Sequence, residues 1–161
     1  MVTSKEQSVG VIGLGYWGKN VFRNMYEMGV VRTACDLDAN TVLRFEKDFP
    51  GINYTSNMDE IFGDRGIKAV ALATPASTHY NLAKKAILSG KDVFVEKPLA
   101  LNSREGEELR KLADEKGRII MVGHILYYHP AVVKLKELIA SGSLGRIQYI
   151  YSNRLNIGKL R

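Results

Sequence analysis

The chain has 161 residues, enough for one ordinary domain and the beginning of another. Hydrophobic residues make up 45% and charged residues 25%, a balance that excludes a disordered chain and fits a globular one. The net charge is +6, but the basic residues are spread along the sequence, so no nucleic-acid partner is expected and a phosphorylated small molecule suits the mild excess better.

Residues 1–7 are polar, and the apolar run after them is short and broken by Gly10, Gly13 and Gly15. It reads as neither a signal peptide nor a membrane span, and a cytoplasmic protein without membrane contact is expected. Cys35 is the single cysteine, so an intrachain disulfide and a cysteine-based zinc cluster are excluded, and no metal site is expected.

Apolar runs rich in Val, Ile and Ala occupy 9–12, 30–35, 69–73, 93–95 and 119–122, and amphipathic stretches occupy 18–28, 39–48, 58–62, 78–89 and 103–116. Continuous apolar runs are strands buried on both faces, and such strands need crossover helices between them. The expected fold class is therefore α/β, a doubly wound parallel sheet. Asn102 or Ser103 can cap the last of these helices, and Gly90 and Gly117 fall where helices should stop.

After Gly123 the rhythm changes. Pro130 opens a helix to about residue 140, residues 141–145 make a turn, and 147–153 alternate as a strand with one covered face would. The expected division is a dinucleotide-binding domain over 1–125 and the connecting helix and first strand of an incomplete second domain over 126–161. The chain is expected to be a piece of a larger protein.

The first strand runs into Gly13-Leu14-Gly15-Tyr16-Trp17-Gly18, a G-x-G-x-x-G spacing that follows a strand and opens a helix. Gly13 would permit the turn, Gly15 would admit a pyrophosphate, and Gly18 would let helix and strand approach. The helix N-terminus offers N–H groups to phosphate. Asp36 lies 18 residues after Gly18, at the end of the next strand, where a carboxylate accepts hydrogen bonds from ribose hydroxyls. It would repel a 2′-phosphate, and Leu37 supplies no adjacent Arg, so NAD is expected rather than NADP. Asp38 lies past the strand and is assigned to capping the next helix.

The Gly turn, Ala73-Thr74-Pro75, His79 and above all the string Gly90 to Ala100 with Glu96-Lys97-Pro98 resemble the glucose-fructose oxidoreductase and inositol dehydrogenase family of nicotinamide-dependent sugar dehydrogenases. The resemblance implies that Lys97 sits beside nicotinamide and substrate, that Glu96 adjoins the cofactor, and that Thr74 and Pro75 run along it. Many relatives have a cis peptide at the proline equivalent to Pro98. Lys97 also follows a buried strand at the carboxyl edge of the sheet, where open α/β sheets bind ligands, although a plain surface lysine has the same setting. There its ammonium could donate to a substrate hydroxyl or take part in proton transfer.

His79 falls in the first turn of a helix, as a hydrogen-bonding partner for the cofactor or as a half-exposed helix residue. Trp17 either shields the dinucleotide or packs on the helix. His124, just past a strand, is a candidate for substrate or nicotinamide. His129 stands where many relatives carry arginine, which leaves the substrate class open. The stretch 153–161, with Arg154 and Asn156, resembles the subgroup that oxidises UDP-linked N-acetylated sugars at the 3-hydroxyl.

The expected substrate is thus a sugar or nucleotide sugar, the expected cofactor NAD, and the expected full-length state a homo-oligomer. In the family a downstream His completes the proton-transfer apparatus, and no residue here matches it, so the 161-residue chain alone is expected to bind dinucleotide but turn over poorly. The competing readings are an NAD-binding sensor and an assembly module using 147–152 as an adhesive edge.

Overall fold

A computed structural model describes residues 6–153. Six strands alternate with helices through the first unit: β1 Val9–Ile12, α1 Gly18–Glu27, β2 Val31–Cys35, α2 Ala39–Asp48, β3 Asn53–Thr55, α3 Met58–Gly63, β4 Ala69–Leu72, α4 Ala76–Leu88, β5 Asp92–Val95, α5 Ser103–Lys116 and β6 Ile120–Val122. All pairings are parallel and the strand order is β3-β2-β1-β4-β5-β6. The order reverses between β1 and β4, which opens a crevice beyond their carboxyl ends, the place where doubly wound sheets take ligands.

Strand side chains alternate between two cores. Val11, Ala34 and Ala71 join Phe22 of α1 and Phe45 of α2 on one face. Ile12, Cys35, Val70, Leu72 and Val95 join residues of α3, α4 and α5 on the other. Phe22 is fully buried and its ring meets those of Phe45 and Phe49 edge-on, each with centroids 5.2 Å away; burying such a side chain stabilises the fold by roughly 1.5–3 kcal/mol. Burial pushes the Cys35 thiol up to about 11, so it stays protonated at neutral pH and serves as core filling.

Two strands depart from the sequence reading. β3 holds only Asn53, Tyr54 and Thr55, too short and polar to stand out, and it forms because β2 offers a free edge on which Thr33, Ala34 and Cys35 pair with it. The expected strand over 147–153 is absent: none of these residues has strand structure. A strand exists only with a ladder partner, and among the described residues nothing pairs with this segment. α4 also starts earlier than expected, directly after Pro75, whose ring pre-sets the helix entry.

The chain divides after Gly123 into two units. The second holds a 3-10 turn, Ile125–Tyr128, and α6, Pro130–Ala140, which His129 caps through a hydrogen bond from the Ala131 N–H to its Nδ1. His129 is therefore a helix-entry residue. No helix among the described residues is long and apolar enough to cross a membrane.

The entry to β4 is held by polar side chains. Asp64 accepts from Arg32 Nε and the Gly66 N–H, both at 2.7 Å, and the buried Lys91 ammonium donates to the carbonyls of Asp64 and Ile67. The hydrogen bond from Arg32 is the main cause that holds the Asp64 carboxyl below the usual carboxylate range. Because its folded-state value lies below its unfolded one, its stabilisation is present at neutral pH and is lost as pH falls through the folded value. Asp64→Asn is expected to cost about 1 kcal/mol at neutral pH, a figure reduced for the partial exposure of Arg32. In urea unfolding the gap to the unsubstituted chain should close as pH falls below the usual carboxylate range; a gap that persists in strong acid would assign the effect to packing.

Candidate dinucleotide site

β1 ends at Ile12 and the Gly turn follows. Gly13 adopts φ +94°, and a methyl group there would meet the Ala73 carbonyl oxygen at 2.7 Å. A methyl group on Gly18 would overlap the Gly13 carbonyl oxygen, so that glycine is fixed by the approach of α1 to the turn. Gly15 differs: a methyl group built on it meets nothing within 4 Å, which leaves an open backbone face. α1 starts at Gly18 without any side chain capping it, and the Lys19 and Asn20 N–H groups donate to the carbonyls of Gly15 and Trp17 at 3.1 and 2.8 Å, so the helix offers an anion the positive end of its dipole rather than a full set of unpaired donors.

Asp36 follows β2 and reaches back to the turn. Its Oδ2 accepts from the Leu14 N–H at 2.7 Å and its Oδ1 from the Asp38 N–H at 3.0 Å. The carboxylate is half-buried and held, with lone pairs still available for ribose hydroxyls. Asp38 caps α2, accepting from the Asn40 N–H and the Thr41 hydroxyl, and the latter holds its carboxyl below the ordinary value. Asp38 therefore takes the capping role that the sequence reading assigns to it.

Between Asp36 and the β4 end lies a cavity of about 290 Å³ lined by Ile12, Gly13, Gly15, Asp36, Thr74 and Pro75. Leu37, Ala73, Met58, Thr78 and Leu82 complete the wall, and of these Met58, Thr78 and Leu82 carry no sign in the sequence reading. Thr78 and Leu82 are four apart on α4, a spacing that could have revealed them; Met58 opens α3 behind the unforeseen β3 and left no signal. The Thr74 and Thr78 hydroxyls lie 2.7 Å apart and Thr78 Oγ1 donates to the Pro75 carbonyl at 2.8 Å, so the loop is tied to its helix. An apolar slot with a fixed carboxylate at one end and an open glycine backbone beside it fits an adenosine diphosphate moiety.

At the β5 end, Glu96 accepts from Trp17 Nε1 at 2.7 Å, and its carboxylate lies close against Gly123, where a methyl group would meet its oxygens at 3.1 and 3.2 Å. Sequence spacing gave no sign of this link, since 79 residues separate the partners. Trp17, 43% exposed, thus spans from the Gly turn to the Glu-Lys-Pro segment. It is the single tryptophan of the chain. NADH titration is expected to quench its emission with the same midpoint as calorimetry gives; calorimetric binding with unchanged emission would place the dinucleotide elsewhere.

Lys97 is exposed, and among the described residues it makes no hydrogen bond or ion pair. The Lys97–Pro98 peptide is cis. Tyr16 is exposed, with the Lys19 ammonium 5.7 Å from its ring centroid. His79 corrects the sequence reading on both counts. It is only 1% exposed, not half-exposed, and both ring nitrogens face backbone carbonyls: Nδ1 lies 2.6 Å from that of Pro98 and Nε2 2.9 Å from that of Thr74. No ring nitrogen is left to bind a cofactor directly. His124 is exposed at the start of the second unit, and Arg154 and Asn156 lie outside the described residues. Among the described residues no cluster of His, Cys, Asp and Glu could hold a metal ion.

Residues 7–124 match the sequence model of a family described as "Oxidoreductase family, NAD-binding Rossmann fold". A scyllo-inositol 2-dehydrogenase (NADP(+)) from Bacillus subtilis is 30% identical over 136 residues, which is 84% of this chain and 38% of that protein. Among solved structures, myo-inositol 2-dehydrogenase from Lactobacillus plantarum superposes with a TM-score of 0.80 at 26% identity, over 89% of this chain and 43% of that one. A UDP-N-acetylglucosamine 3-dehydrogenase from Acidithiobacillus ferrooxidans gives 0.74 at 26% identity, over 81% and 42%. The chain spans about 40% of the length of the curated relatives it matches.

Proposed function

Because this chain belongs to the NAD-binding oxidoreductase family with a Rossmann fold, we propose that it is the cofactor-binding part of a dehydrogenase that oxidises a secondary hydroxyl of a sugar or nucleotide sugar. The observation that carries the proposal is the position of Lys97 two residues past β5, beside the β4 end whose Thr74–Pro75 loop lines the dinucleotide cavity. Bound NAD would supply the hydride acceptor. The chain's own residues would do the rest. Gly15 and the α1 N-terminus receive the diphosphate, Asp36 holds the adenosine ribose, Thr74 and Pro75 flank the dinucleotide, and the Lys97 ammonium meets the substrate oxygen and steadies its proton.

The inositol dehydrogenases support a cyclic polyol or sugar, and the UDP-N-acetylglucosamine enzyme supports a nucleotide sugar. His124, and in the nucleotide-sugar case Arg154 and Asn156, are the proposed substrate contacts. Asp36 with Leu37 beside it favours NAD over NADP, although the Bacillus relative carries NADP(+) in its name. We place the protein in the cytoplasm and take the full-length form to be a homo-oligomer, for which the exposed Val133, Leu135 and Ile139 of α6 offer apolar surface.

The test is NADH formation by the complete gene product with a panel of inositols, free hexoses and UDP-N-acetylated hexosamines. Turnover of one of these classes is the expected result. Tight NAD binding with no oxidation of any polyol would favour a sensor instead.

A further inference from the structure

We propose that His79 is a positioning residue that sets the spacing between the cofactor loop and the segment carrying Lys97. The inference rests on the dehydrogenase reading above for its catalytic consequence, but its geometric content stands on the structure alone.

β4 and β5 are neighbouring strands, and their last backbone bond runs from the Glu96 N–H to the Leu72 carbonyl at 2.9 Å. Beyond that point the two chains separate, one into the 73–75 loop and the other into Glu96-Lys97-Pro98. His79, from the first turns of α4, fills the gap. One edge of its ring meets the Thr74 carbonyl and the other the Pro98 carbonyl. Among the described residues no other side-chain hydrogen bond joins these two segments.

An imidazole suits this task because it is flat and rigid: the ring N–H donates to one of the two carbonyls, and the fixed frame sets the distance to the other. The ring is wholly buried beside Ala83, Ala86 and Ile87 on the core-facing stripe of α4, so packing locks its orientation. It is the ring that is buried, and a buried N–H that loses its partner costs free energy, which makes the spacing hard to relax while the ring is present. The carbonyl of Pro98 is one residue from Lys97, and that of Thr74 belongs to a residue lining the dinucleotide cavity. The ring therefore couples the place of the ammonium to the place of the cofactor without touching either. Proton handling at a substrate oxygen depends on such placement: an error of about 1 Å can cost about 100-fold in rate.

The experiment compares His79→Phe, which keeps a flat ring and removes both nitrogens, with His79→Gln, which restores a donor. In the complete gene product, His79→Phe is expected to lower kcat by about 10- to 100-fold while the Kd for NAD changes by less than about threefold, and His79→Gln is expected to recover part of kcat. In the 161-residue chain, amide shifts caused by His79→Phe should concentrate at 73–79 and 95–101. Unchanged kcat and amide shifts, or a parallel loss of kcat and NAD affinity, would overturn the proposal. Should the phenylalanine variant fail to fold, the glutamine variant decides by the same split of kcat against Kd. If the unsubstituted chain binds no NAD, the dehydrogenase reading falls, and the amide pattern without cofactor still decides whether His79 ties the two segments.

Discussion

Replacing Lys97 with methionine is expected to lower kcat of the complete enzyme by about 10²- to 10⁴-fold, the range a positioned proton-transfer group supplies. The Kd for NAD should stay within about threefold, because the contacts proposed to give affinity lie at the Gly turn and Asp36. Methionine keeps the unbranched apolar stem and removes the ammonium. Lys97 is exposed and makes no hydrogen bond or ion pair among the described residues, so its removal leaves no buried partner and stability should hardly move. Steady-state rates with saturating NAD check this. A variant that keeps rates within about fivefold of the parent would remove Lys97 from the chemistry, since so small an effect is only about 1 kcal/mol.

The second large effect separates two glycines of one motif. Gly15→Ala is expected to leave the fold intact, within about 0.5 kcal/mol in urea unfolding, because the added methyl meets nothing within 4 Å and the residue has no positive φ. The same methyl would stand on the open backbone face proposed for the diphosphate. NAD affinity should therefore fall by at least about tenfold, or 1.4 kcal/mol. Gly18→Ala should do the reverse first, destabilising the fold by about 1–3 kcal/mol through overlap with the Gly13 carbonyl, with binding lost as a consequence. If Gly15→Ala bound NAD with unchanged affinity, the diphosphate would not lie over this turn.

Much of this was legible before any coordinates. The alternation of apolar runs with amphipathic stretches is long and consistent enough to specify the parallel sheet, and the Gly13 to Gly18 turn between β1 and α1 can be read from spacing because its backbone geometry demands glycine at Gly13 and Gly18. β3 was not legible, since its three residues form a strand only because β2 leaves an edge for them. The strand expected over 147–153 fails for the converse reason: alternation without a partner does not make a ladder.

At the site, contacts between residues far apart in sequence were invisible. Nothing in the spacing links Trp17 to Glu96. For His79 the sequence does carry a signal. Residues 79, 83, 86 and 87 share the apolar stripe of α4, so the ring had to enter the core and find its partners there. A place near the helix N-terminus favours the cofactor while the periodicity points inward, and in the structure burial in the core wins.

The most direct measurement is a titration of the isotope-labelled 161-residue chain with NAD, followed by backbone amide resonances. Saturable shifts at Leu14, Gly15, Asp36 and Thr74, abolished over the same concentration range by Gly15→Ala, are the predicted result. No saturable shift, or shifts confined to residues away from the β1, β2 and β4 ends, would contradict the assignment of this crevice to the dinucleotide.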